Sequence, residues 1–255
     1  MFFQKFWVKL IYVFLLTVIF SSSTLYLYVN QSLIKDRLTN FTGVNLTAGY
    51  EASDEDLFWA KEILNGGYIL HFRHAERDKW IDVQMYDALE SDLHNNGLDK
   101  SRIAENDYFA QAVCLNSRGK IQAQAMGEHL IQIGLPISYV VSSVSCRSRQ
   151  TSELAFGGYN ALSRQLVHVG PYNELHAARV DNLKKFYKSL PINADGNTIV
   201  SSHNGVAVKD MFENVRHSID LEEGGFYVIS RRNGKLYLEH EFHNFVDFMR
   251  IFYIR

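Results

Sequence analysis

Tyr68-Ile69-Leu70-His71-Phe72-Arg73-His74-Ala75-Glu76-Arg77 is the stretch on which the reading of this chain turns. Its first six residues have the apolar and aromatic content of a buried strand, and the charged run that follows sits where such a strand ends. Upstream, Ser53 and Asp56 form a capping box ahead of Leu57, Phe58, Ile63 and Leu64, and Gly66-Gly67 stops the helix thus begun. Downstream, after a long polar stretch, Ser117 opens a helix in which Ile121, Ala125, Met126, Leu130 and Ile133 recur at helical spacing until Gly134. The pattern then predicts a strand over 137–142, a helix over about 147–156, a short strand near 165–169 and a helix near 180–190. A strand over 197–202, a helix over 205–215 and a hairpin of 225–230 with 235–242 around Arg232-Asn233-Gly234 complete the series. Strands alternating with helices predict an α/β fold, a mainly parallel sheet with helices on both faces. Ligands of such sheets bind beyond the carboxyl ends of the strands, so the polar residues just after each strand are the candidates for chemistry.

The chain has 255 residues, 47% of them apolar, which supports one core of about 200 residues with a short appendage and leaves no room for a second catalytic domain. A formal net charge of -2 provides no basic field, and nucleic acid is excluded as a partner on that ground. Cys114 and Cys146 are the only cysteines, so there is no disulfide framework and no zinc-ribbon spacing. One bridge between them stays open if the domain lies in an oxidising compartment.

The N-terminus differs in composition from everything after it. From Leu10 to Val29 there is no charged side chain, close to the ~20 apolar residues that cross a bilayer as a helix. Lys5 and Lys9 precede this run and hold the short N-terminal side in the cytoplasm, which places the remainder outside. Tyr26 and Tyr28 suit the membrane interface. A cleaved signal peptide is the competing reading, but no small-x-small cleavage site is evident, and an uncleaved anchor fits better. Both readings export the domain. The expected organisation is therefore an anchor over 1–29, a polar linker over 30–52 carrying sequons at Asn30, Asn40 and Asn45, and a catalytic domain over 53–255.

Four segments combine strand ends with reactive side chains: 68–77, 142–153, Tyr172-Asn173-Glu174-Leu175 and 199–205. Two histidines and two or more arginines arriving at one sheet edge specify a pocket for a dianion, because guanidinium forks match phosphate oxygens and stay charged. In this combination the sequence resembles the histidine phosphatase superfamily, the phosphoglycerate-mutase-like proteins, over about residues 60–243. Arg73-His74 is similar to that family's Arg-His-Gly signature, with Ala75 in place of glycine. Leu115-Asn116-Ser117-Arg118-Gly119 resembles its structural Leu-Thr-x-x-Gly segment. Ser142-Ser143 through Arg147, Gln150 and Thr151 resembles the second-arginine motif, and Ser202-His203-Asn204-Gly205 the segment that supplies a second histidine, with Ser202 departing from glycine.

The resemblance implies a phosphomonoesterase that needs no metal and no cofactor. His74 would attack phosphorus and carry a phosphohistidine, while Arg73, Arg147, His203 and, through the Arg-His-x-x-Arg pattern, Arg77 neutralise the dianion. Asn204 would contact the substrate. Glu174 is the candidate acid for the leaving group, because one branch of the family keeps its acid at the matching place; Glu76 is the alternative acid, or a residue that orients an arginine. Export together with Phe72-Arg73-His74-Ala75-Glu76-Arg77 resembles bacterial envelope phosphatases that act on lipopolysaccharide core heptose phosphate, so the implied partner is a small phosphorylated substrate, a lipopolysaccharide sugar phosphate among them. Two rivals stand beside this reading: a non-catalytic phosphate-binding module, and a phosphohistidine protein phosphatase if the domain faces the cytoplasm. The stretch 78–113 is either a substrate-selecting lid or a surface insertion. His71 and His74 are expected on opposite strand faces, against a metal site; His240 and His243 decorate an edge strand; Arg149 is salt-bridged or solvated.

Overall fold

Ser53 caps helix α1 (Asp54–Glu62) as its sequence predicts: its Oγ accepts from the Asp56 amide at 3.0 Å, and the Asp56 carboxylate accepts from the Ser53 amide at 2.9 Å. The computed structural model describes residues 52–78, 114–167 and 176–253. The expected anchor, most of the linker, the stretch 79–113 and the Tyr172–Leu175 segment lie outside the described residues. Among the described residues no helix is long and apolar enough to cross a membrane.

After α1 come β1 (Ile69–Arg73), α2 (Ser117–Gln132), β2 (Ile137–Ser143), α3 (Cys146–Ala155), β3 (Ala161–Ser163), α4 (His176–Ser189), β4 (Asn197–Ser202), the hairpin β5 (Phe226–Arg232) and β6 (Lys235–Phe242), and α5 (Phe245–Tyr253). These strands form one sheet in the order β3-β2-β4-β1-β5-β6. The β3–β2, β2–β4 and β4–β1 pairs are parallel, while β5 runs antiparallel to both β1 and β6. The expected α/β architecture is thus present, with an antiparallel edge. The hairpin turns on Asn233 (φ 51) and Gly234 (φ 71), the paired left-handed residues that a tight turn matching strand twist requires.

Side chains alternate between two cores, as strand geometry demands. Ile69, Val141, Val200, Tyr227 and Ile229 pack with Val180, Leu183 and Tyr187 of α4 on one face. Leu70, Phe72, Ile199, Phe226 and Val228 pack on the other with Ala60 of α1, Met126 and Leu130 of α2, and Phe248 of α5. Helices therefore cover both faces, and β1 and β4 lie in the middle of the sheet.

Three elements depart from the sequence reading. The short strand is at Ala161–Ser163, not near 165–169, and Arg164–Leu166 is a 3-10 turn. Asn160 explains the earlier start, since its Oδ1 accepts from the Val140 amide at 2.7 Å and its own amide donates to the Val140 carbonyl at 2.7 Å, opening the pairing with β2. The expected helix over 205–215 is only a 3-10 turn at Lys209–Met211. Gly205 at φ +75 breaks the approach, and beyond the turn the chain runs beside β6: the Glu213 amide donates to the Leu236 carbonyl at 3.1 Å, and Asn214 Oδ1 accepts from the Leu238 amide at 3.1 Å. The apolar spacing of Val206, Met211, Phe212 and Val215 reflects burial against the sheet without helical geometry. Helix α5, finally, was not anticipated; it buries Phe245 and Phe248.

Cys114 and Cys146 are joined, with Cα atoms 4.8 Å apart. The bridge left open by the sequence is formed. It fastens the residue before Leu115 to the first residue of α3, beside Arg147.

Candidate active site

Parallel neighbours leave a sheet at the same edge, and this brings the two histidine segments together. Arg73 pairs with Ser202 at the last step of the β1–β4 ladder, and the His74 amide continues it by donating to the Ser202 carbonyl at 2.9 Å. His74 and His203 follow directly, with ring centroids 5.2 Å apart and planes at 64°.

His74 is 3% exposed, and its Nδ1 lies 2.7 Å from the Ala75 carbonyl oxygen. A carbonyl can only accept, so Nδ1 carries the proton and Nε2 keeps a lone pair. Burial, and then the charges of Arg147, Arg73 and Arg77, hold this ring well below the usual histidine range against an opposing pull from the Ala75 carbonyl, so it is neutral near pH 7. The loop after it is pinned to α3: the Ala75 amide donates to Thr151 Oγ1 at 3.0 Å, and that hydroxyl donates to the Arg147 carbonyl at 2.8 Å.

His203 is held by hydroxyls. Its Nε2 lies 3.1 Å from Ser143 Oγ, 3.1 Å from Ser145 Oγ and 3.4 Å from Ser148 Oγ. Ser143 ends β2, Ser145 is the N-cap of α3 and Ser148 is in its first turn, so the positive end of this helix stands against the ring. Arg147, in the same turn, is 1% exposed. Such a buried guanidinium keeps its charge and can match the oxygens of a bound anion.

The remaining candidates are placed as follows. Arg73 reaches the Leu221 carbonyl through Nη1, while its Nη2 is 3.7 Å from Glu223 Oε1. Arg77 donates from Nη1 to the Asp78 carbonyl at 2.8 Å. Asn204 Oδ1 accepts from the Leu221 amide at 3.2 Å, bracing the loop that faces Arg73. The Glu76 carboxylate pairs with Arg118 and accepts from Asn116 Nδ2 at 3.1 Å, so it is committed to the start of α2. Glu174 lies outside the described residues. Arg149 is 1% exposed and donates from Nε to the Val144 carbonyl at 3.0 Å, which corrects the solvated reading: it is a strut under the β2–α3 turn. Among the described residues no group of three or more histidine, cysteine or acidic side chains is arranged to hold a metal.

The structure is similar to solved phosphatases. One is the protein histidine phosphatase SixA in complex with tungstate, at TM-score 0.46 and 13% identity, covering 69% of this chain and 96% of that one. A second is a putative alpha-ribazole-5'-P phosphatase from Escherichia coli, at TM-score 0.45 and 15% identity, covering 69% and 96%. A third is a phosphoserine phosphatase from Entamoeba histolytica with 3-phosphoglyceric acid, at TM-score 0.43 and 12% identity, covering 68% and 95%. The sequence matches no family model and no curated protein.

Several supporting residues escaped the sequence reading. Ser145 and Ser148 stood inside a quoted motif, and their density in 142–148 was the available signal. Glu223 and Leu221 carried none, because they reach Arg73 only through the β1–β5 pairing, in which the Arg73 amide donates to the Gly225 carbonyl at 2.9 Å. Chemically, the arrangement offers one neutral imidazole with a bare Nε2 beside a second histidine and fixed guanidinium charge. Such a set can bind a phosphoryl dianion and receive its phosphorus.

Proposed function

We propose that this chain is a phosphomonoester hydrolase that works through a phosphohistidine on His74. The observation that carries the reading is the commitment of His74 Nδ1 to the Ala75 carbonyl, which leaves Nε2 as the only ring atom with a lone pair, next to His203 and under the charges of Arg147, Arg73 and Arg77. Nε2 attacks phosphorus in line; the P–N bond forms as the ester P–O bond breaks, and the leaving oxygen takes a proton from an acid, the role we assign to Glu174. Water then gives a proton to the carboxylate left by the first step and attacks phosphorus as the P–N bond breaks, which releases inorganic phosphate and returns His74 to its neutral form. The cations and His203 spread the charge that gathers on the equatorial oxygens in both steps. We extend the proposal to place: the charge-free run from Leu10 to Val29 behind Lys5 and Lys9 supports an exported domain tethered to a bacterial inner membrane. The matched motifs support phosphorylated envelope sugars, lipopolysaccharide core heptose phosphate among them, as substrates.

The full chain, purified in detergent, is expected to hydrolyse an aryl phosphate and to give an acid-labile, alkali-stable phosphoenzyme on brief exposure to labelled substrate. His74→Ala removes the label and at least about 1000-fold of the rate, as loss of a nucleophile does. A wild-type protein that binds phosphate without turning over aryl or sugar phosphates overturns the enzyme reading in favour of a binding module. An inactive alkaline phosphatase fusion at the C-terminus places the domain inside and favours a phosphohistidine protein phosphatase.

A further inference from the structure

His71 lies three residues before His74 and is fully buried. Its ring lies beside those of Tyr187, with centroids 6.1 Å apart and planes at 23°, and Tyr227, at 5.6 Å and 33°. An imidazole withdrawn from water is tolerated when both nitrogens find partners, and here both do: Nδ1 is 2.5 Å from the Tyr187 hydroxyl and Nε2 is 3.3 Å from the main-chain carbonyl oxygen of His203. The carbonyl decides the tautomer. Facing an acceptor, Nε2 must carry the proton and donate, so Nδ1 is the acceptor and the Tyr187 hydroxyl donates to it. Burial pushes the ring down to about 4, which keeps it neutral and this polarity fixed at neutral pH.

The carbonyl that His71 holds is the first one past the end of β4, where the ladder to β1 has stopped. His203 is therefore gripped twice, its ring by the Ser143, Ser145 and Ser148 hydroxyls and its main chain by His71 from the apolar side of the sheet. We infer that His71 is a positioning residue, which, ordered by the Tyr187 hydroxyl, sets the His203 backbone so that the second histidine meets the phosphoryl group opposite His74. The inference rests on the proposed phosphohistidine mechanism. It adds a chain Tyr187–His71–His203 that runs from α4 through β1 to the site. A purely structural histidine would alter stability alone. A positioning one alters how His203 treats the transition state, and so changes kcat more than KM.

The test uses the full chain in detergent with an aryl phosphate. His71→Leu substitutes an apolar side chain of similar bulk and removes both bonds; His71→Gln keeps an Nε2 donor for the same carbonyl; Tyr187→Phe removes only the ordering hydroxyl. We expect His71→Leu to lower kcat about 30-fold with KM within about threefold, as for a displaced transition-state group. His71→Gln is expected to recover most of that loss, and Tyr187→Phe to fall between wild type and His71→Leu. In parallel, long-range nitrogen–proton spectra of histidine-labelled protein follow the His203 ring, assigned by its disappearance in His203→Asn. Its signals move in His71→Leu and Tyr187→Phe and return in His71→Gln. Unchanged kcat together with unmoved His203 signals in the folded variants overturns the inference. Should His71→Leu not fold, Tyr187→Phe and His71→Gln decide the same two readouts. A wild-type chain without turnover overturns the proposed function instead, while the His203 signals still judge the positioning.

Discussion

Arg147 has two roles in the proposed mechanism: it supplies charge for the phosphoryl oxygens, and after burial it is the strongest influence keeping the His74 ring deprotonated. These roles separate in a pH profile. Because the native ring sits well below its ordinary value of 6.5, the wild-type acid limb of kcat/KM that reports His74 lies below pH 6.5. Arg147→Gln takes away a depressing charge, so the ring's affinity for protons rises and that limb moves to higher pH, while kcat falls about 100- to 1000-fold through lost stabilisation of the oxyanion. Rates measured from pH 4 to 8 on one aryl phosphate cancel the substrate's own ionisation between the two proteins. Coincident limbs would mean that the guanidinium does not act on His74.

At the level of elements, the loop carrying Glu76 and the start of α2 approach so closely that only glycine fits between them. A Cβ on Gly119 would lie 1.9 Å from the Glu76 carbonyl oxygen, and that atom also accepts from the Asn116 amide at 3.3 Å. Gly119→Ala must push α2 away from the loop two residues past His74; overpacking of this kind costs about 1–3 kcal/mol. The expected result is a thermal midpoint lower by roughly 5 °C together with reduced kcat, and an unchanged midpoint would show that the helix yields freely. The same contact shows what the sequence made legible. His74, His203 and Arg147 could be read because each directly follows a strand, or opens the helix after one, and that adjacency is covalent. Gly119 could be read through its motif. Glu223 and the partners of His71 depend on which strands become neighbours, a fact no local pattern carries, whereas the serine cradle of His203 left a signal only in the serine density of 142–148. The expected helix at 205–215 failed for the related reason that hydrogen bonds to β6 outcompeted an apolar spacing that looked helical.

For the whole molecule, buried neutral histidines tie stability to pH. His71 at about 4, and His74 and His129 also lowered, all sit beneath the value of 6.5 that they have in the unfolded chain. Above pH 6.5 these rings are neutral in both states. Between 6.5 and about 4 the unfolded chain takes up protons that native His71 refuses, so stability is lost as pH falls through this window. The shift of His71 alone corresponds to about 3 kcal/mol. By pH 5 about 2 kcal/mol of this is lost through His71, so the urea midpoint at pH 5 should lie below that at pH 7.5 with the slope preserved, and equal midpoints would contradict neutral burial. The Cys114–Cys146 bridge, spanning 32 residues of sequence, contributes about 3–4 kcal/mol by constraining the unfolded chain. Replacing both cysteines by serine, or adding dithiothreitol, should lower the thermal midpoint by roughly 10 °C.

That bridge has company. Asp78 Oδ1 accepts from Asn116 Nδ2 at 3.1 Å, and the Asn116 amide reaches back to the Glu76 carbonyl, so Asp78 is fastened to the start of α2 as Cys114 is to the start of α3. The sequence between these two fixed points can lengthen or shorten at small entropic expense, since doubling a loop costs only about 0.6 kcal/mol. His74 and His203 are set side by side by the β1–β4 ladder, and their placement withstands such changes in length.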